Sequence, residues 1–251
     1  MNPKWTSRFE LKPGRWVFVP TSETVAEGKR IKKQVESVWN APQYYFHLQA
    51  GGHVAALRSH LAHTNFLHVD IEDFFGNVNR TRITRCLKPR VGYAKAREWA
   101  NASTVAHPND KSRFIIPYGF VQSQIVAALC LSESALGVCL DKIHKTSGAV
   151  VSVYVDDIIA STDDAALCST LFGELEVAAS RARFAFNSTK QQGPGTSVTA
   201  FNISLSKDQL QIEGDRLTAF SAALAQAKSE AQRQGILGYI NSINPAQSSA
   251  V

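Results

Sequence analysis

Apolar and polar positions along this chain switch repeatedly between a period of two and a period near 3.6. Residues 15–20 read as a short strand, followed by a polar turn at 21–23. Residues 29–39 carry apolar positions at helical spacing, and Gly51-Gly52 breaks the chain before a helical stretch at 54–61. Residues 66–71 form a strand that ends in acids. A basic helical region is predicted over 81–102, a polar loop around 108–111, and an extended segment at 114–117 that leads into one long apolar helix over 121–143. Residues 149–155 and 158–161 predict a hairpin, and the acids that follow it at 161–164 read as the cap and first turn of a helix to about 181. A second hairpin is expected at 197–205 and 209–212, then an alanine-rich helix over 216–234 and a short apolar turn at 236–243. Helices alternating with antiparallel hairpins indicate an α+β domain.

The chain has 251 residues, 44% of them hydrophobic, enough for one sizeable core or one multi-lobed domain. No apolar run reaches the roughly 18 residues of a membrane span, and Trp5, Arg8, Glu10 and Lys12 interrupt any signal-peptide pattern. The four cysteines, Cys86, Cys130, Cys139 and Cys168, have no paired spacing and read as small core residues in a reducing cytoplasm. A net charge of +6 points to an anionic partner such as nucleic acid. Lys29, Arg30, Lys32 and Lys33 cluster on the first helix, where a solvated helix face is the simpler explanation.

Chemistry enters at Val153-Tyr154-Val155-Asp156-Asp157-Ile158-Ile159, where two adjacent carboxylates interrupt a β-branched run. Spacing alone fits a solvated surface turn as well as a buried one. Buried, the pair is costly unless compensated, and a divalent cation bound by carboxylate oxygens compensates it. His68-Val69-Asp70-Ile71-Glu72-Asp73-Phe74-Phe75 supplies a third acid at a strand end. Three aspartates on two neighbouring strands meet the requirement of two-metal phosphoryl transfer, with cations about 3.5–4 Å apart. Between them, Ile116-Pro117-Tyr118-Gly119-Phe120-Val121-Gln122-Ser123 reads as strand, sharp turn and helix. Asp163 and Asp164 have an ordinary capping explanation. His47, His53, His60, His63 and His68 crowd the segment before Asp70, but their spacings suit packing or template contact better than zinc.

The order Asp-Ile-x-x-Phe-Phe, Pro-x-Gly-Phe-x-Gln-Ser, Tyr-x-Asp-Asp resembles motifs A, B and C of the reverse transcriptase palm. Phe186-Asn187-Ser188-Thr189-Lys190 is similar to motif D, and Phe201-Asn202-Ile203-Ser204-Leu205 to motif E, the primer grip. The resemblance covers residues 46–212. It implies a right-hand polymerase: a fingers-like region at 1–65, a palm at 66–213 whose antiparallel sheet carries helices on one face (fingers insertion about 81–113), and a reduced helical, thumb-like C-terminus at 214–251. It further implies that Asp70, Asp156 and Asp157 hold two magnesium ions, with manganese as an alternative and the Ile71 carbonyl as an extra ligand. Lys190 becomes a proton donor or charge stabiliser at the leaving pyrophosphate. Phe75 matches the steric gate that favours dNTPs, and Tyr118, Gly119 and Gln122 fall in the nucleotide-binding motif, Tyr118 standing where glutamine is commonest in the family. Lys29, Arg30, Lys32, Lys33 and Arg58 are placed to meet nucleic-acid phosphates by position and charge.

About 40 residues follow motif E, which leads to the expectation of a short thumb and of a homo-oligomer or ribonucleoprotein that compensates for it. Gly51-Gly52-His53 and the motif B variant are similar to bacterial defence-associated, abortive-infection reverse transcriptases, implying an anti-phage role with an associated RNA template or protein primer. The other readings are a retron-type reverse transcriptase, a catalytically silent palm kept as a nucleic-acid-binding or scaffold subunit, and a palm-fold nucleotide cyclase.

Overall fold

The computed structural model describes residues 3–12 and 14–249. A hairpin of β1 (Trp5–Lys12) and β2 (Arg15–Pro20) leads into α1 (Ser22–Val38), which starts early because the Thr21 hydroxyl caps it by accepting from the Thr24 N–H. After α2 (Gly52–Arg58) come β3 (Asn65–Asp70), α3 (Phe74–Asn77), α4 (Arg80–Val91) and α5 (Tyr93–Ala102). A small hairpin, β4 (Val105–His107) and β5 (Asp110–Ile115), precedes α6 (Ser123–Ser132) and α7 (Ala135–Lys145). Then follow β6 (Ala149–Tyr154), β7 (Asp157–Thr162), α8 (Ala165–Arg181) and β8 (Gln192–Gly195). A three-stranded meander, β9 (Ser197–Ala200), β10 (Ile203–Ser206) and β11 (Gln209–Ile212), is followed by α9 (Gly214–Ala225), α10 (Glu230–Ile243) and α11 (Pro245–Ser248).

The central sheet has the order β6-β7-β3-β8, and its neighbours are antiparallel. Register decides what each face carries. Asp70 lies opposite Asp157, His68 opposite Ile159 and Phe66 opposite Ser161, while Tyr154 and Ser152 of β6 pair with Asp157 and Ile159. Side chains alternate along a strand and cross-strand partners share a face, so Phe66, His68, Asp70, Ile159, Asp157, Ser152 and Tyr154 all stand on one side. Leu67, Val69, Val151, Val153, Ile158 and Ala160 stand on the other, in one large core with α6, α7 and α8. On the acid-bearing side Phe66 and Ile159 join a second core with Leu57, the meander and Ile240 and Ile243 of α10. Cover on both faces is why β3 and β7 read as continuous apolar runs rather than as an alternation.

Several expected boundaries move. The predicted 121–143 helix is two helices meeting at 76°, because the Ser134 hydroxyl accepts from the Gly137 N–H and starts α7 afresh. The 81–102 region divides at Gly92. The 216–234 helix is also two, and residues 236–243 are the second half of α10, capped at Ser229, rather than a turn. The 197–205 strand breaks where Phe201 and Asn202 both adopt left-handed backbone angles. Among the described residues no single helix is long and apolar enough to cross a membrane.

Candidate active site

The two-residue loop Val155-Asp156 joins β6 to β7, with Tyr154 paired to Asp157 across it. Val155 takes φ +61°, an expensive angle for a β-branched residue. Its N–H is received by Nδ1 of His47 at 3.0 Å, and burial pushes the His47 imidazole down to about 4, so the ring stays neutral and able to accept. Tyr154 is walled by His47, His53 and Phe201, and His53 Nε2 lies 2.9 Å from the Tyr239 hydroxyl of α10. Beneath, His60 is fully buried and bridges the hydroxyls of Ser161 (2.7 Å) and Ser152 (2.8 Å), so these three polar groups satisfy one another, while Nδ1 of His68 on the same face is buried without a partner among the described residues.

The Asp156 carbonyl accepts the Ile71 N–H at 2.8 Å, which locks the hairpin to the end of β3. One oxygen from each of Asp70, Asp156 and Asp157 lies within 4.8 Å of the others. Burial, then the Asp157 and Asp70 charges, push the Asp156 carboxyl up to about 6. The chain supplies two counterweights. Lys190 Nζ is 2.7 Å from Asp70 Oδ2, held there by a turn in which the Asn187 N–H bonds the Asp70 carbonyl. His68 Nε2 is 2.8 Å from Asp157 Oδ1, and because a carboxylate oxygen only accepts, that nitrogen carries the proton. An all-oxygen donor set whose burial and crowding raise the Asp156 carboxyl fits a hard divalent cation such as magnesium or manganese, with Asp70, Asp156 and Asp157 as the residues that would hold it. The Ile71 carbonyl has no backbone partner among the described residues.

Phe75 is 4% exposed and stacks on Tyr118 with ring centroids 4.7 Å apart. Arg15 lies over the Tyr118 ring at 5.1 Å and 4.0 Å from Asp156, so it spans the loop and the carboxylates. Burial pushes the Tyr118 phenol up to about 12. The Tyr118 carbonyl accepts the Phe18 N–H at 2.9 Å, docking β2 on this loop. At Gly119, φ is +103° and a Cβ would meet the Phe18 carbonyl oxygen at 2.3 Å, so no side chain fits.

Two solved structures share this architecture. Telomerase from Candida albicans, in complex with the TWJ fragment of telomeric RNA, superposes with a TM-score of 0.52 at 8% identity, over 91% of this chain and 46% of that one. A foamy viral protease-reverse transcriptase in complex with double-stranded DNA gives 0.50 at 15% identity, over 92% of this chain and 34% of that one. The chain has a polymerase fold of the reverse transcriptase and telomerase kind. It spans less than half the length of either neighbour. No family model matches it, and no curated protein does.

The structure gathers Asp70, Asp156, Asp157, Lys190, Phe75, Tyr118 and Gly119 around one point of the sheet, but not every predicted site residue. Gln122 is 1% exposed and its amide lies against α1, where a Cβ on Gly28 would come within 2.3 Å of it; it packs between helices instead of facing the loop. Lys29, Arg30, Lys32 and Lys33 are exposed on α1. Arg30 is paired with Glu27 (2.6 Å) and Glu98 (3.1 Å), and Lys32 with Glu36 (3.8 Å), so half of that cluster is spent on the protein's own acids. Arg58 donates to the Ser242 carbonyl of α10 at 2.6 Å, which makes it a tie to the C-terminal helix. Three neighbours escaped the sequence reading. His68 was recoverable, since a residue two before Asp70 must share its face. His47 and Arg15 reach the site only through the tertiary fold.

Proposed function

We propose that the chain is an RNA-directed DNA polymerase that adds dNTPs to a 3′-hydroxyl. One observation carries this reading: three carboxylates, two from adjacent strands and one from the turn between β6 and β7, converge within 4.8 Å on a polymerase fold, facing a lysine. The divalent cations such a site takes would activate the attacking hydroxyl and neutralise the leaving pyrophosphate. Asp70 from the end of β3 and Asp156 from the hairpin turn would hold them together with Asp157, one of whose oxygens is taken by His68. Lys190, now on Asp70, would turn to the departing phosphates, with Arg15 of β2 beside Asp156 as a second positive charge. Phe75 stacks on Tyr118 near the carboxylates, and an aromatic at Phe75 would crowd a ribose 2′-hydroxyl and favour dNTPs. An RNA template and a role in bacterial anti-phage defence rest on the motif B variant and on Gly51-Gly52-His53.

The test is primer extension with magnesium and dNTPs, wild type against Asp156→Ala/Asp157→Ala. Loss of at least about 10³-fold is expected, since the metal contributes several kcal/mol of charge stabilisation. Equal rates would sink the polymerase reading in favour of a silent scaffold. The same pair in a phage plaque assay separates the defence role from polymerisation.

A further inference from the structure

A cleft of about 760 Å³ opens between the start of α4, the α6–α7 junction and the C-terminal end of α8, and no residue of the carboxylate cluster lines it. Arg82, Arg85, Arg181 and Arg183 all face it. Among the described residues none of the four forms a salt bridge. The carboxylate on its wall, Glu133, is already held by Arg90 at 2.6 Å. Arg82 donates from Nη2 to the Ala182 carbonyl at 2.8 Å and lies 4.3 Å over the Phe184 ring, while its Nη1 is buried with no partner.

Helix dipoles do not explain this arrangement. Arg181 in the last turn of α8 is favourably placed, but Arg82 stands in the first turn of α4, at the positive end. The N-terminus of α7 points its own positive end at the same cleft through Ser134 and Ala135. Three guanidiniums without a protein partner and a half-satisfied Arg82, gathered where the N-terminal ends of α4 and α7 meet the C-terminal end of α8, are a demand for negative charge, and the planar guanidinium fork matches the paired oxygens of a phosphate.

We propose that this cleft binds the phosphodiester backbone of a nucleic-acid strand, outside the site of the three carboxylates. The assignment stands on the cleft's own residues and does not require that the chain polymerise. It gives the net charge of +6 a location that the half-neutralised cluster on α1 does not.

Cys86 provides a local reporter, since it lines the cleft and the Cys130 S–H bond holds its thiol below the usual range. The experiment measures iodoacetamide alkylation of Cys86 by peptide mass spectrometry, with Cys139 as internal reference, together with affinity for a fluorescent 20-nucleotide RNA at several salt concentrations. RNA should slow Cys86 alkylation several-fold and leave Cys139 unchanged, and Asp156→Ala/Asp157→Ala should preserve the protection. In Arg85→Glu/Arg181→Glu, both positions exposed and so tolerant of charge reversal, protection should vanish and the slope of log K against log salt should flatten by about 1.4, the share of two phosphate contacts on a single strand. The proposal falls if RNA leaves Cys86 unprotected, if the slope is unchanged in the double variant, or if dATP or pyrophosphate at equal phosphate concentration protects as well as RNA does, which would mark a free-nucleotide site.

Discussion

The carboxylate cluster at the end of β3 and the arginine cleft below α8 both crowd charges of one sign, and they are tolerated for different reasons. Asp70 is 4% exposed, so its charge is desolvated, and the fold places Lys190 and His68 against the acids. Arg85, Arg181 and Arg183 are exposed, water screens them, and the fold supplies no counterion. Burial thus decides which cluster needs an internal partner. A cation entering the first site must compete with groups already there, whereas an anion entering the second displaces only water.

The sharpest test of that difference is pH. Asp156 titrates near 6 in the folded chain against 3.8 as an ordinary side chain. The folded state therefore holds the extra proton, and the stabilisation is fully present below pH 3.8 and lost as pH rises through 6. The shift corresponds to at most about 3 kcal/mol. In chelator, the stability of the wild type relative to Asp156→Asn should fall by that order between pH 4 and 7.5, measured by urea unfolding. Magnesium takes the charged carboxylate, so the Tm rise it produces should be larger at pH 7.5 than at pH 5. Arg85→Glu should alter neither trend. A flat wild-type-minus-Asn difference would mean that neither burial nor the neighbouring acids raise the Asp156 carboxyl.

A second prediction concerns what holds the acids in place. His47→Phe removes the acceptor for the Val155 N–H, and a left-handed valine costing about 1–3 kcal/mol then has little to keep it there. The turn should relax and shift Asp156, lowering the extension rate on the order of 10²-fold, as for misplacements near 1 Å. Hydrogen exchange should rise at residues 153–157, and RNA protection of Cys86 should persist. An unchanged rate would show that the strand pairing alone sets the carboxylates.

These two cases also mark what the amino-acid order could reveal. The convergence of Asp70, Asp156 and Asp157 was legible because Asp70 ends one apolar strand, Asp157 begins another and Asp156 stands in the tight turn before it, where an acid has no packing reason to be, and because five short motifs occur in series. The hairpin boundaries were legible for the same local reason. His47 and Arg15 were not, since they lie over a hundred residues from Asp156 and reach its turn through a 3₁₀ turn at Phe46–Leu48 and through the β1–β2 hairpin, whose docking depends on Gly119. The break between α6 and α7 was hidden because α6 is buried and apolar nearly all round, which erases periodicity on its side of the joint, and the apolar positions of the amphipathic α7 follow without a gap. The arginine cleft was hidden differently: its residues come from α4 and α8, and the conspicuous basic cluster on α1 drew the charge argument to itself.

That misdirection yields the smallest predicted effect. Arg30 is the most basic-looking anchor of the α1 cluster, yet its guanidinium is shared between Glu27 at 2.6 Å and Glu98 at 3.1 Å. A phosphate would have to break both contacts to reach it. Arg30→Gln should therefore change the salt slope of RNA binding by less than about 0.3, whereas Arg85→Gln should change it by about 0.7, the share of one phosphate contact on a single strand. The stability cost of Arg30→Gln should stay within about 1 kcal/mol, as for exposed ion pairs. A larger slope change at Arg30 than at Arg85 would move the nucleic-acid path from the cleft to α1, and the contrast between paired and unpaired basic residues would fail with it.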